Sequence, residues 1–488
     1  MKSIKELIRA VDAVQVVGDA SVEVLGLNYD SRKVAVGDCF FAVVGVQSDG
    51  HNYIPQAVER GACVVVCERL PESFAEGVCY VQVADTNAAM ADMAAAYYDN
   101  PSRELKLVGV TGTNGKTTTA TLLYELFGIL GYKAGLISTV VYRVGSREIE
   151  STHTTPDAIR LNAMLREMVD EGCEYCFMEC SSHAIVQDRI RGLRFVGGMF
   201  TNLTHDHLDY HKTFAEYLRA KKLFFDRLPK GAFALTNIDD RNGRVIVQNT
   251  QATVRTLSLR SMADFRCKLV EMLMDGMLLR LDGEEVWVKF IGRFNAYNLL
   301  TIYAAAVMLG QRKEEVLTAI STLQSVSGRF EYIRAEDGTT AVVDYAHTPD
   351  ALENVITTIE EIRRPDQNLI VLCGCGGDRD KTKRPEMAAI AVKYATTSIF
   401  TSDNPRTEDP EAILRDMVEG LPMDARYLKI ADRGEAVRTA AMLARPGDII
   451  LLAGKGHETY QVIGTEKIHF DDREEISKYF ANRKYPDK

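Results

Sequence analysis

The sequence predicts a three-domain α/β protein. Three observations lead there: a chain of 488 residues, too long for a single core; apolar runs alternating with amphipathic stretches over most of its length; and a balance of 46% hydrophobic to 26% charged residues, which can bury a core in each domain. The net charge is −10, so no broad surface attracts nucleic acid or anionic lipid. An anionic substrate must therefore be gripped by local groups.

Taken in order, MKSIKELIRAVDAV sets Ile4, Leu7, Ile8 and Val11 at helical spacing with charges between them. It reads as an amphipathic helix, not a leader peptide. No apolar run approaches the ~18 residues that span a bilayer, which predicts a soluble, cytoplasmic protein. The ten cysteines are scattered, as reduced thiols of a cytosolic protein would be. Cys173 and Cys176 form a CxxC in CEYCFMEC, but without a second pair at zinc spacing they read as buried strand thiols.

Residues 1–103 mix the short strand-like runs VEVLGLNYD, DCFFAVVG, ACVVVCE and VCYVQV with one or two helices, and close at TNAAMADMAAAYY and Asn100-Pro101. From Leu105 the runs KLVGV, KAGLISTVV, CEYCFMEC, FVGGMF and AFALTN alternate with helical stretches, the pattern of a mostly parallel sheet. A helix beginning near Asn295 ends before Ser325-Val326-Ser327-Gly328, which reads as a hinge. That makes 104–328 a second domain. In 329–488 the runs TAVVDYA, NLIVLCG, TSIFTSD and DIILLAG repeat the logic and predict a third.

The strongest local signal is strand KLVGV, loop TGTNGKTTT and a helix carrying Leu122, Leu123 and Leu126. Gly112 and Gly115 let backbone amides approach phosphate oxygens, Lys116 can neutralise β/γ charge, and the Thr117 hydroxyl can ligate Mg²⁺. Val110 stands where the standard spacing has Gly, so this is a shortened phosphate loop, and ATP is its expected ligand. Glu179 falls at the carboxyl end of the CFMEC strand, where open α/β sheets present ligand groups. His205, Asp206, His207, Asp209 and His211 follow the GGMF strand. Beside a phosphate loop these suit Mg²⁺; a three-histidine zinc site is the alternative, and solvated loop histidines are a third. Lys221 and Lys222 taken alone read as surface lysines.

In this order, TGTNGKTT, TTPDA, ECSSHA, TNLTHDHLD, VDYAHTPD, GGDRDKTKRP, DNPR and GKGHE resemble the Mur ligases over essentially the whole chain. The resemblance implies a three-domain Mur ligase architecture: an N-terminal UDP-substrate domain, a central P-loop ATPase α/β domain, and a C-terminal Rossmann-like domain that closes over the site and binds the added amino acid. It implies an ATP-dependent acid–amino-acid ligase of peptidoglycan precursor synthesis, expected to act as a monomer without nucleic acid or membrane. Its substrates would be UDP-N-acetylmuramoyl-L-alanyl-D-glutamate and meso-2,6-diaminopimelate, joined through an acyl phosphate on the D-glutamyl γ-carboxylate.

Residue by residue, the resemblance places ATP on Gly112, Thr113, Asn114, Gly115, Lys116, Thr117 and Thr118, with Asn298, Arg329 and Asp344. Thr117, Glu179, His207 and a carbamylated Lys221 would hold Mg²⁺. Ser31, Val46, Gln47 and Ser48 would meet the uridine side, while Thr154, Thr155, Ser181, Gln187 and Arg189 would hold the muramoyl dipeptide. Arg379, Gly454 and Glu458 would contact the added amino acid, as would Asp403, Asn404, Pro405 and Arg406, which resemble the diaminopimelate-selecting motif. Arg406 can grip a distal carboxylate bidentately, and Asp403 and Asn404 can meet an ammonium. The rivals are the L-lysine-adding ligase of the same family, a folylpolyglutamate-type ligase, and a nucleotide-binding regulatory module without chemistry.

Overall fold

The structure is a computed structural model that describes residues 1–45, 48–204, 208–481 and 483, with only the backbone of Leu208 and Asp209. Three large sheets follow one another along the chain, beside two two-stranded ribbons. The first has five strands in the spatial order Ala13–Val17, Cys79–Val83, Val64–Cys67, Asp38–Phe41, Gly26–Asn28. Val64, Val65, Val66 and Cys67 are all fully buried, as expected of a strand covered on both faces.

The N-terminal helix is shorter than its periodicity predicts. It runs only Ile4–Ile8, and Ala13–Val17 is instead an edge strand antiparallel to Cys79–Val83. A five-residue helix has little propagation energy of its own, whereas the valines at 14, 16 and 17 suit a pleated ladder. The sheet wins. Ile4 and Leu7 still bury completely.

The central sheet has eleven strands. Its parallel heart sets Lys106–Thr111 between Tyr175–Glu179 and Phe195–Phe200, so the chain reverses its winding direction at the strand that feeds the phosphate loop. Ligands of open α/β sheets bind at that crevice. KAGLISTVV, expected as one strand, breaks into Ala134–Ile137 and the antiparallel Val141–Val144, and the break turns the Thr139 amide toward the sheet's carboxyl edge. The sequence reading also missed the meander Phe265–Leu273, Gly276–Leu281, Glu284–Val288. Its second turn is Asp282-Gly283, both at positive φ (48° and 103°), the type I′ hairpin signal that was present in the sequence.

Helix Lys116–Ile129 lies on this sheet through Leu122, Leu123, Leu126 and Phe127, all fully buried; Phe127 meets the rings of Tyr175 and Phe177 at 4.5 and 4.9 Å. Each such side chain contributes about 1.5–3 kcal/mol of burial, which anchors the helix whose first residue is Lys116. Helix Phe214–Asp226 packs on the opposite face, where Phe224 fits against two strand glycines: a Cβ at Gly109 or Gly198 would stand 2.6 or 2.8 Å from its ring. That close approach carries Lys221 to the loop.

The third sheet orders Glu331–Arg334, Thr340–Asp344, Ile449–Ala453, Leu369–Cys373, Thr397–Phe400 and Tyr427–Lys429, parallel except at the first strand. Arg433 and Asp472, both fully buried, pair at 2.8 and 2.7 Å and pin the last helix, Asp472–Phe480, to the body. Cys173 and Cys176 are buried, and all ten thiols are free. Among the described residues no helix is long and apolar enough to cross a membrane.

Candidate active site

The carboxyl edges of the central and third sheets face one cavity of about 870 Å³, lined from both. The phosphate loop forms its floor. Gly112 has φ +154° and Gly115 +85°; a Cβ would meet Thr201 Oγ1 at 1.9 Å in the first case and Asn298 Oδ1 at 2.5 Å in the second. Only glycine allows both conformation and space. Asn202 braces the loop, its carbonyl accepting from Thr113 N (2.8 Å) and its side-chain oxygen from Asn114 N (2.9 Å). Thr117 and Thr118 follow in the first helical turn, buried.

Lys116 Nζ donates to the carbonyls of Gly112 (3.0 Å) and Thr113 (2.8 Å). Lys221 Nζ, buried on its helix, donates to the same Gly112 carbonyl at 2.7 Å. Two ammonium groups thus meet at one carbonyl oxygen of the loop. Lys222, by contrast, pairs with Asp226 at 2.6 Å and does not line the cavity.

Glu179 is fully buried at its strand end. Oε1 accepts from Thr139 N at 2.7 Å, while Oε2 is buried without a hydrogen-bond donor among the described residues. Thr155 braces this strand end: its hydroxyl donates to Glu179 O (2.8 Å) and accepts from Ser181 N (3.2 Å). Thr154 accepts from the Thr139 hydroxyl (3.0 Å). Ser181 caps helix Ser182–Val186, and Arg189 spans Gln187 Oε1 and Thr155 O. Among the described residues no group of three His, Cys, Asp or Glu stands together as a metal set. His205, Asp206 and His207 lie outside the described residues, as do Val46 and Gln47. His211 is bonded to the Ser182 hydroxyl at 2.8 Å and does not line the cavity.

From the third domain, Arg329 Nη2 donates to Thr117 Oγ1 at 3.3 Å, and its guanidinium lies 4.6 Å over the Tyr345 ring. Asp344 accepts from Phe330 N (2.7 Å); burial raises its carboxyl to about 6 despite Arg329. Asp350, the last residue of VDYAHTPD and given no role in the sequence reading, accepts from Asn114 Nδ2 at 2.8 Å, a direct bond between the two domains on the loop itself. Asn298 lines the wall behind Gly115.

DNPR follows strand Thr397–Phe400. Asp403 and Asn404 are buried, and Arg406 sits at φ 51°. Arg406 Nη1 donates to Gly377 O (2.8 Å) and Asn404 O (3.4 Å). Asn404 Nδ2 donates to Glu458 Oε2 (2.9 Å). Gly454 and Arg379 line the same end of the cavity, and the Pro405 carbonyl lies against Gly377. Arg384, fully buried, binds Glu408 and Asp416, and its grip holds the Glu408 carboxyl down at about 2. Glu408 in turn accepts from Asp378 N, so the loops carrying Arg379 and Arg406 are held in register.

Ser31 donates to Gln56 at 2.7 Å, and the Ser48 carbonyl accepts from Gly45 N at 2.9 Å; neither lines the cavity. The first domain comes near its edge through Tyr29, which lies close enough to Asp157 and to the lining residue Arg189 to feel their charges.

Comparison with known proteins agrees with this layout. Residues 23–98 match the Mur ligase family, catalytic domain; 110–307 the Mur ligase middle domain; and 328–456 the Mur ligase, glutamate ligase domain. The UDP-N-acetylmuramoyl-L-alanyl-D-glutamate–2,6-diaminopimelate ligase of Phocaeicola vulgatus is 55% identical over 481 residues, covering 98% of this chain and 99% of the relative. A solved structure described as a ligase of that same name superposes with TM-score 0.70 at 31% identity, over 98% of this chain and 99% of that one. The MurF ligase of Thermotoga maritima in complex with ADP, 18% identical, superposes at 0.63 over 95% and 98%, a likeness of fold. With family matches in all three segments and a relative of this identity along nearly its whole length, the chain belongs to the Mur ligase family.

Proposed function

We propose that this protein is the ATP-dependent ligase that joins meso-2,6-diaminopimelate to the D-glutamyl γ-carboxylate of UDP-N-acetylmuramoyl-L-alanyl-D-glutamate, in the cytoplasm, and that its domains divide at 1–103, 104–328 and 329–488. One observation carries the reading: a phosphate loop with its lysine, and a DNPR loop with its arginine, open into the same cavity. A carboxylate is a poor electrophile, so ATP first transfers its γ-phosphoryl to the substrate carboxylate oxygen, releasing ADP. The amino acid's amine then adds to the acyl carbon, the carbon–oxygen bond to phosphate breaks, and amide, phosphate and a proton leave. Lys116 is placed to neutralise charge on the transferring group, and the two facing domains exclude water that would hydrolyse the acyl phosphate.

The buried Glu179 Oε2, which has no donor among the described residues, suits a hard cation. Mg²⁺ would be held by Glu179 and Thr117, with His207 as a further candidate, and would supply neutralisation of phosphate charge. Lys221 as an ammonium does not fit that set. As a carbamate, which supplies anionic oxygen, it does. With ¹³C-bicarbonate, a carbamate signal should vanish in Lys221→Arg and persist in Lys222→Arg; persistence in the first refutes the assignment.

The deciding assay is phosphate release from ATP and the UDP-muramoyl dipeptide with meso-diaminopimelate or L-lysine. Release with diaminopimelate alone is expected. Dependence on lysine would retain the ligase and discard the DNPR argument, and silence with both would discard the ligase.

A further inference from the structure

Between DNPR and Glu458 of GKGHE lies a fully buried lysine that none of the roles above uses. Lys455 Nζ stands 3.1 Å from Glu458 Oε2, 3.7 Å from Asp403 Oδ1 and 3.3 Å from Asn404 Oδ1, with the Tyr460 ring 5.8 Å away. Asp403 Oδ1 is buried and receives no hydrogen bond. The neighbouring Arg433 charge is taken up by Asp472, and Arg406 is turned to backbone carbonyls.

We propose that Lys455 is the positioning residue that sets the charge of the amine-binding end of the cavity: by holding Glu458 and Asp403 apart as two ionised carboxylates, it leaves one net negative charge for one substrate ammonium. The inference rests on the amino-acid-binding role given to DNPR and Glu458 above. Without a cation, the two buried carboxylates repel each other and leave the cradle with two negative charges for one ammonium. With it, Asn404 is oriented from both sides, its oxygen toward Lys455 and its amide toward Glu458. Burial already pushes the Glu458 carboxyl upward, Asp403 adds to the push, and Lys455 opposes it.

The proposal predicts a reversal of sign in a double-mutant cycle. Lys455→Met should raise KM for the added amino acid at least 20-fold with KM for ATP unchanged. Glu458→Gln should also raise it, because the subsite is then neutral. The double variant Lys455→Met/Glu458→Gln restores one negative charge, and its KM should fall at least fivefold below that of the worse single variant. A lysine that merely fills space predicts a double variant as poor as, or poorer than, either single; that result overturns the proposal. Should Lys455→Met alone not fold, a double variant that folds and binds better than Glu458→Gln still supports it, and one that binds no better refutes it. The cycle uses whichever amino acid the unmodified enzyme consumes. Failure of the unmodified enzyme with both would sink the functional reading itself, whereas turnover with the wrong sign in the cycle sinks only the role of Lys455.

Discussion

Lys116→Ala is expected to lower kcat for ligation by about 10³-fold or more while leaving the melting temperature within a few degrees. The rate loss follows from where the ammonium sits: at the start of the helix, held by the carbonyls of Gly112 and Thr113, in a cavity where charge on a transferring phosphoryl group is poorly screened. Removing one such preorganised charge typically costs several powers of ten. Stability should survive because the helix is anchored by Leu122, Leu123, Leu126 and Phe127 and because alanine is a good helix former. Single-turnover phosphate release with thermal unfolding of the same sample measures both. Turnover within tenfold of the unmodified enzyme would refute the role.

Arg406→Ala is expected to raise KM for meso-diaminopimelate on the order of 10²-fold, with KM for ATP unchanged. A charge-assisted pair to a carboxylate is worth about 1.5–3 kcal/mol, more when bidentate, and each 1.4 kcal/mol is about tenfold. Arg406 Nη1 is held by Gly377 O and Asn404 O, so the side chain is positioned by the protein and little ordering is required on binding. Because Arg406 has φ 51°, any non-glycine residue there carries some backbone strain. Arg406→Lys controls for it: the ammonium survives, the planar fork does not, and KM should still rise at least tenfold. Unchanged KM in both variants would end the argument that this loop selects the amino acid.

Much of this was legible in the chain. The phosphate loop could be read because strand, glycines, lysine and helix are contiguous, so local geometry dictates their chemistry. The α/β layering was readable for the same reason, since alternation of buried runs and amphipathic stretches is a local property. Errors arose where strand pairing overrode local preference: the helical spacing read through Val11 ends at Ile8, and Ala13–Val17 pairs with Cys79–Val83. The Asp282-Gly283 hairpin was a local signal passed over.

Side-chain roles that depend on neighbours from distant segments could not be read. Lys455 looks like any lysine in GKGHE until the fold buries it against Asp403 and Glu458, 52 and 3 positions away. Lys221 and Lys222 are adjacent and chemically alike; helical rotation alone sends one to the Gly112 carbonyl and the other to Asp226. Asp350 acquires its place from a bond to Asn114 across the domain junction. The sequence by itself determined the fold class and the family, because alternation of runs is a local property and the family shows in short motifs, each local, that recur in one order along the chain. The tertiary structure alone decided which charges face which, because burial and pairing across distant segments set whether a carboxylate or an ammonium group binds a ligand or only its neighbour.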